Sequence, residues 1–274
     1  MNNLTKSHYT MAKKCTNDLQ KLIKTCWSDF KDLERKHPNL VVNNSIPILW
    51  FGDLDSYFES ERRIVTVALN PSNKEFMDKG LVGVEVRFPI AKTIVNKGIL
   101  DNNDCDTYKR AMCEYFRTNR LSWFCSFERI LNKLDSSYGG VFNPDAINTA
   151  IHIDIYSPVA TTDKWSDLCQ KGNDKTIINA NSIPFTKLLS FLNPDVILIS
   201  CNKNEISKLI DGKGTLIWSK PPKRFNEFIN LYKFDTNKAL ISGLNMQGSP
   251  FGGYKDFYEQ GFAEMLSLHD IFNL

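Results

Sequence analysis

Paired cysteines are the first thing this chain lacks. Its seven cysteines, Cys15, Cys26, Cys105, Cys113, Cys125, Cys169 and Cys201, form no Cys-x-x-Cys pair and are odd in number. That argues against a zinc knuckle or a disulfide framework and for reduced, mostly structural thiols. Histidine is scarce as well. His8, His37, His152 and His269 are the full set, an unpromising basis for a histidine-rich metal site, so neither metal nor cofactor is expected. No apolar run reaches the length of a membrane-spanning helix, and the N-terminus is polar rather than signal-like. A cytoplasmic protein without a membrane partner is the expectation. A strong charge imbalance is missing too: 34 basic against 31 acidic side chains leave +3, short of a pronounced basic character. Binding to a polyanion would need local clusters, and Lys220-Pro-Pro-Lys-Arg224 is one; Arg87, Lys92, Arg117 and Arg120 offer another.

What is present is a core. The 274 residues are 42% hydrophobic and 12% aromatic, enough for one large domain or two small ones. Up to Lys36, Leu19, Leu22, Ile23, Cys26 and Trp27 recur at helical spacing, and His37-Pro38-Asn39 ends the helix. The simplest organisation is a helical extension over 1–45 followed by one α/β domain over 46–274. Within that domain, strands are expected at Ile64–Leu69, Ala150–Tyr156, Pro194–Ser200 and Ala239–Ser242. Helices are expected near 106–134, 179–192, 202–210 and 255–268. Strands alternating with helices predict a three-layer α/β/α sandwich around a mainly parallel four-stranded sheet. The long loop from Asn70 to Lys92 carries Phe76, Phe88 and Pro89, which favour an ordered, working loop.

One segment concentrates the chemistry. In Arg63-Ile-Val-Thr-Val-Ala-Leu-Asn-Pro-Ser-Asn73 an apolar, β-branched run stops abruptly at Asn70-Pro71-Ser72. Pro71 lacks an N–H and biases Asn70 toward an extended conformation, fixing where its amide points. In an open α/β sheet, ligands sit beyond the carboxyl ends of strands, which is where Asn70 falls. A plain strand-to-loop turn would leave the same trace.

The order of motifs resembles the uracil-DNA glycosylase superfamily. Ala68-Leu-Asn-Pro-Ser72 stands where that family carries Gly-hydrophobic-Asn-Pro, with Ala in place of Gly. The likeness continues through Arg87-Phe-Pro89, Tyr115-Phe116, Trp123-Phe124, Glu128, Ile151-His-Ile-Asp-Ile-Tyr-Ser157 with Ala160-Thr161 and Trp165, and Leu192-Asn-Pro-Asp-Val-Ile-Leu198. The resemblance implies a monomeric DNA glycosylase acting in DNA repair, which flips a base into a pocket and hydrolyses its N-glycosidic bond. Asn70 would orient the water, with Asp154 or Glu85 assisting as a carboxylate base. Phe88 or Phe76 would be the aromatic platform. Ser72, Lys203, Lys220, Lys223, Arg224 and the glycines Gly248 and Gly252 would meet the DNA backbone, with Asn202 and Ser200 near Lys203.

Two departures shape the expectation. The family's last motif usually supplies a His near the leaving base, whereas this chain has Asn245-Met-Gln-Gly-Ser-Pro-Phe251. Hydrogen bonds to the base would then come from Asn245, Gln247, Ser249 or backbone N–H groups. At the base-reading position stands Asp154 rather than Asn. An ionised carboxylate only accepts, so it suits the cytosine N4 amino group better than uracil O4. The substrate expected is therefore a damaged or modified pyrimidine of cytosine type, one setting being hypermodified cytosine in foreign (phage) DNA and a defence role. Two rivals stay open: a nucleobase- or DNA-binding module on the same fold without catalysis, and a nucleotide-processing enzyme on a similar scaffold.

Overall fold

The computed structural model describes residues 2–163, 167–168, 185–210, 213–224, 227–234, 238–245 and 248–274. In chain order its elements are α1 (Asn2–Lys36), α2 (Leu54–Glu59), β1 (Ile64–Ala68), β2 (Met77–Asp78), β3 (Leu81–Val82), α3 (Asn102–Cys113), α4 (Tyr115–Thr118) and α5 (Ser122–Lys133). They continue with β4 (Ile151–Asp154), α6 (Phe185–Leu192), β5 (Val196–Ser200), α7 (Lys203–Ile210), β6 (Gly214–Lys220), β7 (Ile229–Phe234), β8 (Lys238–Gly243) and α8 (Asp256–Leu268). Contacts divide the chain into two compact units. The first joins Met1–Leu49, Asn70–Met112 and Tyr156–Leu188; the second joins Trp50–Leu69, Cys113–Ile155 and Leu189–Leu274.

In the first unit α1 buries Leu19, Ile23, Cys26, Trp27, Phe30 and Leu33, the three-to-four-residue spacing of one helix face. It ends at Lys36 because Pro38 disfavours a helical His37. Trp27 anchors it: the ring packs edge-on against Tyr108, and Nε1 donates to the Lys97 carbonyl at 2.9 Å. The Tyr108 hydroxyl donates to Pro47 O at 2.8 Å and accepts from Leu49 N at 3.1 Å, so a fully buried phenol is satisfied on both sides. The loop after Asn70 is ordered, as expected. It forms short 3-10 turns at Asn73–Glu75, Val84–Val86 and Pro89–Thr93, with the β2–β3 hairpin among them. Lys79 and Gly80 take positive φ, 50° and 85°, to make that hairpin's two-residue turn. Met77, Leu81 and Val82 leave its surface apolar and exposed.

The second unit contains the sheet, of strand order β4-β1-β5-β8-β7-β6. Pairings from β4 to β8 are parallel, and β7 and β6 add antiparallel strands at one side. The chain is thus a mixed α/β protein with a mostly parallel sheet, in keeping with an α/β/α sandwich. The sheet has six strands and not the four expected. β1 and β5 are buried along their whole length, which is why their sequences are apolar apart from Thr66 and Ser200. β6 is mostly exposed or half-buried, so its pattern is diluted by polar residues. Gly261 lets α8 lie close on β7, since a Cβ there would overlap Ile229. Among the described residues no helix is long and apolar enough to cross a membrane.

Candidate functional site

The carboxyl ends of the parallel strands in the second unit hold the polar cluster. Pairings of Ala68 with Asp154, Val67 with Ile199 and Ser200 with Gly243 line up Asp154, Ala68, Ser200 and Gly243 in one row. At the usual strand spacing this row spans about 14 Å from Asp154 to Gly243. Ala68 and Gly243 keep it low, and such a strand-end edge is where open α/β sheets bind ligands.

Asp154 is the outlier in the row. Its side chain is only 2% exposed, yet among the described residues neither carboxylate oxygen has a hydrogen-bond partner. Among the described residues the cation-forming group paired with it is His152, whose Nε2 lies 3.5 Å from Oδ1. This is an ion-pair distance, too long for a good hydrogen bond. Burying a polar group without partners is costly, so such a group calls for an explanation.

His152 sits two residues back on the same strand face. Its ring is surrounded by Phe51, Trp123, Phe124 and Phe127 at centroid distances of 5.5, 5.2, 5.3 and 6.0 Å. Its Nδ1 lies 2.8 Å from Thr66 Oγ1, and Thr66 Oγ1 lies 2.6 Å from the Tyr138 hydroxyl. Burial, chiefly, holds the Tyr138 phenol well above its ordinary range, and the charges of Glu128 and Asp154 act in the same direction. Burial does the same to the Cys201 thiol, again with Asp154 adding to it. Cys201 is therefore no candidate nucleophile, which needs a thiolate. Sequence reading missed His152, Thr66 and Tyr138 as site residues. The signal for His152 was there: it shares a face with Asp154 at the two-residue period of a strand.

A second feature follows β8. Phe251, Gly252, Gly253 and Tyr254 all take positive φ, 47°, 57°, 75° and 52°, a left-handed turn. The glycines adopt it freely, while each of the other two costs about 1–2 kcal/mol. Packing holds it: Phe251 N donates to Ser200 Oγ at 3.0 Å, and the ring fills the space over Gly243, where a Cβ would overlap it. The Phe251 ring also meets Phe127 at 5.9 Å, so aromatic contacts run from the left-handed turn to His152. Strain of this kind gathers at functional sites.

The other expected site residues fall as follows. In the second unit Asn245 is half-buried, with Oδ1 buried and without a partner among the described residues. Ser249 is half-buried, Gly248 is exposed at φ 76° and Gly252 is buried. Gln247 lies outside the described residues, as does Trp165. Lys203 is exposed, its Nζ 5.3 Å from the centre of the Phe228 ring. Lys220 is paired with Glu264, while Lys223 and Arg224 are exposed.

In the first unit, Asn70 Nδ2 donates to the carbonyl of Pro71 at 3.0 Å. Ser72 is exposed and caps the turn at Asn73–Glu75, accepting from Lys74 N at 3.2 Å. Glu85 is exposed and pairs with Lys92 at 2.6 Å. Phe76 and Phe88 do not present themselves as platforms. They are 0% and 1% exposed and stack on each other at 5.3 Å, so they pin the loop together as its small core. Arg87 beside them bridges Glu75 and Asp78.

No protein-family model matches the chain, and no curated protein matches it.

Proposed function

We propose that the chain is a DNA glycosylase that flips a modified cytosine-type base out of DNA and hydrolyses its N-glycosidic bond. The observation that carries this reading is the Asp154 carboxylate, buried at a strand end with no hydrogen-bond partner among the described residues. A ligand offering amino donors relieves the unpaired acceptor, and cytosine N4 is such a donor. In the reaction water adds to C1′ as the bond from C1′ to the base nitrogen breaks. The base leaves with the electron pair and takes up a proton. The resemblance assigns the water to Asn70, and Asn245, Ser249 and backbone N–H groups to the departing base. Lys203, Lys220, Lys223 and Arg224 attract the phosphates, which makes binding salt-dependent. The exposed apolar hairpin of Met77, Leu81 and Val82 suits contact with unstacked bases. The protein acts as a monomer in the cytoplasm on this reading, and removal of hypermodified cytosine from foreign DNA is the setting that fits Asp154 best.

One observation favours a second reading, a nucleobase- or DNA-binding protein on the same fold without catalysis. The Asn70 amide already donates to its own turn, and an amide is a poor general base. An abasic-site assay separates the two. Single- and double-stranded oligonucleotides carrying uracil, mismatched thymine, cytosine, hydroxymethylcytosine or glucosylated hydroxymethylcytosine are incubated with the protein and treated with hot alkali. Strand cleavage at a cytosine-type base, lost in Asn70→Ala, is the expected result. No cleavage at any base, with salt-sensitive DNA binding intact, would replace the glycosylase by the binder.

A further inference from the structure

The hydrogen bonds behind Asp154 have a direction. Tyr138 is buried, and among the described residues Thr66 Oγ1 at 2.6 Å is the acceptor its O–H reaches. A buried O–H left without an acceptor is penalised, so Tyr138 donates to Thr66. Thr66 has one proton to give in turn. Nδ1 of His152 lies at 2.8 Å and the Ile151 carbonyl at 3.4 Å, so the proton goes to Nδ1. A neutral imidazole that accepts at Nδ1 carries its hydrogen on Nε2. That nitrogen is the one facing Asp154 Oδ1 at 3.5 Å. Reversing the chain would strand the Tyr138 O–H and set the Nε2 lone pair against a carboxylate oxygen.

We propose that Tyr138, Thr66 and His152 form a one-way hydrogen-bond chain that fixes the Nε2–H tautomer of His152 and makes it the positioning residue for Asp154. Oδ1 is held toward His152, and Oδ2 is left as a pure acceptor for an exocyclic amino group of the bound base. The chain thereby sets the substrate class: bases with an amino group at the reading edge are taken, and bases with a carbonyl there are refused. The ligand assignment rests on the proposed function, whereas the tautomer does not. Among the described residues the titratable groups on which the Asp154 charge acts are Tyr138 and Cys201, and burial raises both, so neither is a base that competes for the Nε2 proton.

The test is ¹⁵N spectroscopy of the full chain labelled at histidine. His152 is assigned after replacing His8, His37 and His269 by Gln one at a time. The expected wild-type signature is a protonated Nε2 and a bare Nδ1; a protonated Nδ1 would overturn the proposal. Thr66→Val removes the donor to Nδ1, and population of the Nδ1–H form is expected to rise. Where that variant does not fold, Tyr138→Phe loses one oxygen and frees Thr66 to donate to Ile151, with the same expected shift in smaller degree. Unchanged spectra in the folded variants would refute the chain. In Tyr138→Phe, preference for an oligonucleotide with a cytosine-type base over one with uracil should fall by about tenfold, the scale of one hydrogen bond to a charged group. An unchanged preference would refute the link to specificity. Loss of all DNA binding in a wild-type protein with the expected tautomer would remove the functional reading and leave the tautomer assignment standing.

Discussion

Replacing Asp154 by Asn should make the protein more stable while destroying what it recognises. The side chain is 2% exposed, neither oxygen is hydrogen-bonded among the described residues, and His152 Nε2 stands 3.5 Å from Oδ1. A buried ion in that state carries an effective desolvation penalty of several kcal/mol. Asn keeps the shape and one acceptor, and its unpaired neutral amide costs about 1–3 kcal/mol. The difference is a gain of about 1–3 kcal/mol. For a chain of this size that is a rise in melting temperature of about 2–12 °C, at 2–4 °C per kcal/mol. Urea unfolding at neutral pH provides the assay, read as a higher midpoint at unchanged m-value. Asp195→Ala is the contrast. The Asp195 carboxylate accepts from Arg63 N at 2.8 Å, so its loss should cost about 1 kcal/mol. If Asp154→Asn destabilises the protein by as much as Asp195→Ala, the carboxylate is a structural partner, and the argument from its isolation is wrong.

Other tests reach further parts of the account. Burial raises the Glu128 carboxyl above its ordinary range against the lowering effect of its bonds to Ser137 and Tyr138. The folded state therefore holds a proton that the unfolded chain has released, so stability falls as pH rises through this window. Urea midpoints between about pH 4 and about pH 7 should decline less in Glu128→Gln than in wild type, and parallel curves would contradict this. Changing Lys223 and Arg224 together to Gln should reduce the slope of log affinity for DNA against log salt by about 2, because each exposed cation accounts for roughly one released counterion; an unaltered slope removes this cluster from the interface. Gly243→Ala places a methyl group where the Phe251 ring lies, and the displaced left-handed turn should cost about 1–3 kcal/mol in unfolding experiments. A neutral substitution there would show that the turn adapts freely.

How much was legible in the sequence depended on burial. β1, β5 and β8 were read because strands covered on both faces are mostly apolar. β6 and β7 were missed because they lie at the exposed side of the sheet, where Ser219, Lys220, Asn230 and Lys233 interrupt the pattern. The helix expected near 106–134 is three helices, broken around Glu114 and at Asn119-Arg120-Leu121, since aromatic content marks the core but not the chain's turns. Of the helix expected at 179–192 the described part is Phe185–Leu192. At the site, Asp154 was legible as a carboxylate at a strand end. Its isolation, and the His152–Thr66–Tyr138 chain behind it, were not. Thr66 and Tyr138 are 72 positions apart, and no local pattern announces such a contact. Phe76 and Phe88 misled for the opposite reason, because an aromatic residue in a long loop reads the same whether it faces a ligand or another ring.

The measurement that goes most directly to the central claim is a specificity comparison of wild type and Asp154→Asn. Both proteins are offered matched oligonucleotides holding hydroxymethylcytosine or uracil, and abasic sites are counted after alkali. A carboxylate only accepts, whereas an amide both donates and accepts, so it can answer uracil O4 and N3–H together. The account predicts that wild type cleaves at the cytosine-type base and that the variant loses this activity and gains cleavage at uracil. Wild-type cleavage confined to uracil, or an unchanged preference in the variant, would contradict the assignment of Asp154 as the group that reads the base.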